Sequence, residues 1–145
     1  MKLNYQGVLE RLKTVILAHP QVNSCDDGRE LEFDVNKSEL WPRGFIRTEA
    51  STLLGGLGSA ELSCNFTILM MDRLNTDRTN VVDVMNSMHS ILTDVMATLN
   101  SEQLIRIEEG IVFNPLYDYQ DSQSAGWSVE IRTYIEGSLE CYPVP

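Results

Sequence analysis

Ser59-Ala60-Glu61-Leu62-Ser63-Cys64-Asn65-Phe66-Thr67-Ile68-Leu69-Met70-Met71 is the stretch whose reading decides the fold. Ala60, Leu62, Cys64, Phe66, Ile68 and Met70 alternate with polar Glu61, Ser63, Asn65 and Thr67. Successive strand side chains point to opposite faces, so a period of two turns one row toward a core and the other away from it. At about 3.3 Å per residue the run would reach roughly 43 Å, longer than an ordinary strand.

Upstream, Phe45 to Ala50 reads as a second strand, and Ser51 to Ser59 as a loop rich in leucine and glycine. Strand, glycine loop and long strand predict a hairpin over about 45–71 whose tip projects from the body. Leu53, Leu54 and Leu57 lie on that tip, and exposed leucines on an arm call for a partner surface. Trp41-Pro42-Arg43-Gly44 is a break. Before it, Leu31, Phe33 and Val35 alternate with Glu32 and Asp34 as a half-buried strand, preceded by a polar turn from Asn23 to Gly28. At the N-terminal end, Tyr5, Val8, Leu9, Leu12, Val15 and Ile16 share one face of a helix over Tyr5–Ala18, which Pro20 stops.

Downstream, the polar linker Asp72 to Asn80 leads into a helix from Val81 to Leu99. Its stripe of Val81, Met85, Met88, Leu92, Val95 and Leu99 belongs to the core, with Asn80 or Thr79 as N-cap and Asp83 in the first turn. Short strands follow at Leu104, Ile105 and Ile107 and at Ile111 to Phe113, then a polar loop from Asn114 to Gly126. In the last strand Trp127, Val129 and Ile131 join Phe66 and Ile68 as core residues. Helix, strands, helix, strands, with no strand–helix–strand repeat, predicts one α+β domain over 1–145: an antiparallel or mixed sheet with two helices packed on it.

Chemistry-bearing motifs are sparse. His19 and His89 lack the spacing of a metal pair; His89 reads as a partly buried structural residue, and His19 as a partner for the carbonyls that end the first helix. Cys25, Cys64 and Cys141 are odd in number and far apart, with no Cys-x-x-Cys, and Cys64 reads as a small buried apolar residue. Gly55-Gly56-Leu57-Gly58 precedes a strand and has no lysine beside it, unlike a phosphate loop. No cofactor, metal or catalytic residue is expected. The alternative is a small ligand-binding or hydrolytic enzyme whose acids Glu108, Glu109, Asp118 and Asp121 converge in a pocket.

The net charge of −10 opposes binding to a phosphate backbone, and no basic run offsets it. The same charge suits the wall of a channel that DNA traverses without sticking. Eight arginines against three lysines favour protein interfaces. No apolar run approaches the roughly 18 residues of a membrane span, and Met1 to Tyr5 lacks a signal peptide's apolar stretch, so folding in a cytoplasm is expected.

Several of these stretches, taken in order, resemble a known family. They are His19-Pro20-Gln21-Val22-Asn23, Leu31-Glu32-Phe33-Asp34-Val35-Asn36, Trp41-Pro42, Cys64 to Met70 followed by Met71-Asp72-Arg73, and Ala125-Gly126-Trp127. The layout resembles the neck, tail-terminator and ring proteins of tailed bacteriophages, in particular crAss-like and related phages. The loop Asp72 to Asn80 is less acidic than is usual in that family. The resemblance implies a tail-terminator-like fold and a non-catalytic virion subunit, assembled in the host bacterial cytoplasm. It implies a homo-oligomeric ring of six or twelve copies between portal and tail, or terminating the tail. Its partners would be itself and adjacent neck, portal or tail proteins, with DNA only passing through the lumen. Leu53, Leu54, Leu57, Trp41, Tyr117 and Tyr119 are the candidates for its interfaces.

Overall fold

A strand fifteen residues long must find hydrogen-bond partners on both edges wherever its backbone is buried. The computed structural model describes residues 4–29, 40–56, 59–101, 105–118 and 123–135. Along them run α1 (Tyr5–Ala18), β1 (Ser24–Gly28), β2 (Arg43–Gly56), β3 (Ser59–Arg73), α2 (Val81–Asn100), β4 (Ile105–Ile107), β5 (Phe113–Tyr117) and β6 (Ser124–Ile135). The long stretch is β3, and it occupies the middle of the sheet. One edge pairs antiparallel with β2, from Arg43 opposite Met71 to Gly56 opposite Ser59. The other pairs antiparallel with β6, from Ser63 opposite Tyr134 to Arg73 opposite Ser124.

Because β3 takes one whole edge of β6, β5 and β4 lie end to end along the other. β5 faces Val129 to Ala125, and β4 faces Ile135 to Thr133. β1 pairs parallel with β2, which makes the open sheet mixed. Thr133 lies on the helix side of β6 at full burial, and its hydroxyl donates to the Cys64 carbonyl at 2.7 Å.

Both helices cover one face. Val8, Leu9, Leu12 and Ile16 of α1 and the stripe of α2 from Val84 to Leu99 meet Cys64, Phe66, Ile68 and Met70. Val129 and Ile131 are buried with them, while Val81 and Trp127 pack at the margin, partly buried. The Trp127 indole N–H is satisfied by the Met85 carbonyl at 2.9 Å. Full burial of each such aliphatic side chain contributes roughly 1.5–3 kcal/mol. Asn80 stands at the N-cap of α2, but its side chain does not cap the helix. Its Oδ1 accepts from the Asn75 N–H and its Nδ2 donates to the Arg73 carbonyl, so it ties the linker instead.

The opposite face holds a second apolar cluster of Phe45, Leu69 and Met71, with Trp41 and Leu116 packed against it. From Ile68 to Met71, β3 is therefore buried on both faces. Arg43 is also buried, and its guanidinium reaches the Asp26 carboxylate at 3.4 Å, as a buried charge requires.

Several expectations are corrected. Ser51 to Gly56 is strand rather than loop, because pairing with β3 satisfies its backbone whatever its glycine content. Positions 57 and 58 lie outside the described residues. The polar turn at 24–28 is β1, in which only Cys25 is buried. The strand expected at Ile111–Phe113 begins at Phe113 and continues to Tyr117, within what read as a loop. Its polar composition read as a loop, yet β5 pairs with β6 and lies at an edge, where a strand tolerates Pro115. The strand expected at Leu31–Val35, and Leu104, fall outside the described residues.

Gly126 sits where β6 presses on β3. A Cβ there would lie 1.9 Å from the Met70 carbonyl oxygen and 2.9 Å from the Met71 Cα, both backbone atoms. We expect Gly126→Ala to cost about 3 kcal/mol or more, because backbone cannot yield as a side chain can. Urea unfolding would show it, and a change under about 1 kcal/mol would contradict this packing.

Candidate functional site

Among the described residues, the hairpin of β2 and β3 extends past the pairing of β3 with β6. Among the described residues, pairing of β3 with β6 starts at Ser63, so Ser59 to Leu62 pair only with Leu53 to Gly56. Leu53 is 66% exposed there, opposite the partly buried Leu62. The side chains of Leu54 and Leu57 lie outside the described residues. Tyr117 is 56% exposed at the end of β5, and Tyr119 is outside the described residues. Trp41 is occupied within the chain: it packs on Phe45, Leu69 and Met71, with the Arg73 guanidinium 5.9 Å from its ring centre.

Beyond the second apolar cluster, the face opposite the helices becomes polar. A bulge between Thr48 and Ser51 sets Glu49 and Ala50 opposite Asn65. The result is a shallow cleft of about 440 Å³ bordered by Arg47, Glu49, Asn65, Thr67, Glu130 and Arg132. Its charges are largely spent on one another. Glu49 accepts from the Arg47 guanidinium at 2.7 Å and from the Thr67 hydroxyl at 3.0 Å. Arg132 lies 3.7 Å from Glu108, and the Tyr134 hydroxyl and Glu108 together hold its guanidinium firmly protonated.

The acids weighed as an enzyme's site are separated. The Glu108 N–H donates to the Arg132 carbonyl, whereas the Asp118 N–H donates to that of Ser124. Those two positions of β6 are roughly 26 Å apart at about 3.3 Å per residue. The Asp118 carboxylate pairs with Arg78 at 2.7 Å, Glu109 is exposed, and Asp121 lies outside the described residues. Among the described residues, no three His, Cys, Asp or Glu side chains gather as a metal site needs. Nor, among them, is any helix long and apolar enough to cross a membrane.

The histidines differ from expectation. His89 is exposed, and its ring rests between Phe113 and Trp127, each at 4.9 Å between centroids. His19 spends its side chain not on helix-end carbonyls but on Asp94 of α2, at 3.0 Å. Burial pushes the Cys25 thiol up to about 12 and raises that of Cys64, which leaves little thiolate on either. Cys141 is outside the described residues. At the end of β3, burial also raises Asp72, against the opposing effect of the Arg73 N–H it accepts.

No family model matches the sequence, and no curated protein matches it significantly.

Two expectations follow from these environments. Iodoacetamide at neutral pH should leave Cys25 and Cys64 unmodified in the folded chain and label both after unfolding, as peptide mapping would show; rapid native labelling of Cys25 would contradict its burial. For Asp72 the folded state holds its proton to higher pH than the unfolded chain. Its contribution is therefore full in acid and is lost as pH rises through the raised value. Asp72→Asn should raise stability at pH 7, because burial disfavours the charged carboxylate that the neutral amide replaces. That gain should vanish in acid, and thermal melts across pH would reveal a variant that gains nothing at pH 7.

Proposed function

We propose that this chain is a non-catalytic virion structural protein, the subunit of a closed ring in the neck or tail of a tailed bacteriophage. The ring would join portal to tail or terminate the tail, with a channel for DNA. In this reading the fold is tail-terminator-like and the hairpin is a projecting arm. The observation that carries it is the far half of that hairpin, which displays an exposed Leu53 where, among the described residues, β3 pairs with β2 alone.

A closed ring joins one surface of each copy to a different surface of the next. An arm with an apolar side chain suits that geometry, since Leu53 would be desolvated on a neighbour. Tyr117, exposed at the end of β5, suits contact with a flanking protein. The charge of −10 favours a lumen that repels DNA and so lets it slide. The resemblance to neck and tail proteins supplies the phage assignment, the virion as location, assembly in the bacterial cytoplasm, and rings of six or twelve.

Light scattering and electron microscopy of the purified chain, alone and with its portal-side and tail-side neighbours, test the proposal. Closed rings of six or twelve are expected. A chain that stays monomeric under all these conditions and is absent from virions would overturn it. Leu53→Lys should leave unfolding stability within about 0.5 kcal/mol, as for an exposed position, while assembly weakens at least tenfold. Undiminished assembly of a folded Leu53→Lys variant would remove the hairpin from the interface.

A further inference from the structure

α1 reaches β1 through the turn at His19, Pro20 and Gln21, and two hydrogen bonds at that turn share one imidazole ring. The Gln21 backbone N–H donates to His19 Nδ1 at 3.2 Å. A backbone amide can only donate, so Nδ1 must carry a lone pair and no proton. The remaining ring proton then sits on Nε2 and is directed at the Asp94 Oδ2, 3.0 Å away on α2. The ring is well enclosed, with a side-chain exposure of 13%.

We infer that the α1–β1 turn is a proton-sensitive latch: protonation of His19 at Nδ1 keeps its bond to Asp94 and releases the backbone of Gln21. Nδ1 holds the ring's free lone pair, so a proton from solvent must bind there. It then faces the Gln21 N–H donor to donor, and that hydrogen bond cannot survive. Turning the ring over would restore no acceptor, because both nitrogens of an imidazolium donate. The bond from Nε2 becomes a charge-assisted pair with Asp94, so α1 stays fastened to α2 while the turn lets go.

The released segment is not isolated. The Val22 N–H bonds to the His19 carbonyl at 3.1 Å, and the Asn23 N–H to that of Pro42 at 3.0 Å. Pro20, Gln21 and Asn23 border a hollow of about 340 Å³ whose far side includes Asp72 and Ser87. Asp94 from α2 faces the ring, Asp72 from the end of β3 lines the adjoining hollow, and α1 has no basic residue in its last turn. Burial raises Asp72, so acid also removes a charge from this corner.

Long-range proton–nitrogen NMR of the intact chain reads the tautomer, and amide exchange reads the turn. The result expected is an Nε2–H tautomer at neutral pH. The Gln21 amide signal should follow the His19 ring titration, and its protection, corrected for the intrinsic rate, should fall at least tenfold as the ring protonates. An Nδ1–H tautomer, or a Gln21 amide indifferent to the ring, overturns the latch. His19→Gln should abolish the pH response at Gln21, and its persistence would overturn the assignment to His19. Should that variant fail to fold, Asp94→Asn provides the test: it keeps an acceptor for Nε2–H, so the Gln21 response should remain, and its loss would place the switch at Asp94 instead.

Discussion

The double pairing of β3 is the constraint on which the rest of the molecule depends. Its backbone is bonded to β2 along one edge and to β6 along the other, and from Ile68 to Met71 its side chains are buried on both faces. Such a strand can lie only inside a sheet. The need to cover its even-numbered face sets the length of the α2 stripe and seats α1 beside it. Its odd-numbered face needs Trp41 and Phe45 from the start of the hairpin and Leu116 from β5. β6 can approach closely enough because Gly126 presents no Cβ to the Met70 carbonyl.

Charge plays a smaller part in holding this arrangement together. The ion pairs of Arg106 with Glu61 and of Arg78 with Asp118 lie between exposed partners and contribute about 0–1 kcal/mol each. Arg43 differs from these, because its guanidinium is buried and leaving such a charge without a carboxylate would be costly. The stability of the domain is therefore carried by its apolar layers, which leaves the acidic surface free to serve solubility, repulsion or partner choice. Exposed Val82 and Val112 are isolated cases of a kind that any protein surface carries. Leu53 differs by its location, on the part of the hairpin where β3, among the described residues, pairs with β2 alone.

How far the candidate surfaces were legible depended on whether a residue's role is local. The exposure of Leu53 was legible, since a leucine in the far half of a hairpin has few places to go. Trp41 was not: it read as an aromatic at a break, and its partners Leu69 and Met71 come from a strand whose second face appeared less regular than its first. The row Glu108, Glu109 and Asp118 gave no sign of its dispersal, because β4 and β5 occupy different stretches of the same edge of β6. The tie between His19 and Asp94 joins positions 75 apart in the chain, and neither residue carries a local mark of the other.

By itself the sequence determined the alternation of β3, the two helices with their buried stripes, the hairpin and the α+β class. Each of these follows from the period of apolar residues over a short window, a property of neighbours in the chain. Only the tertiary structure decided that Ser24 to Gly28 is a strand, that β1 runs parallel to β2, and that Ser51 to Gly56 extends the hairpin. The reason is physical. Polar and glycine-rich segments have weak preferences of their own, and they become strands when a neighbouring edge supplies the hydrogen bonds that their backbone must make.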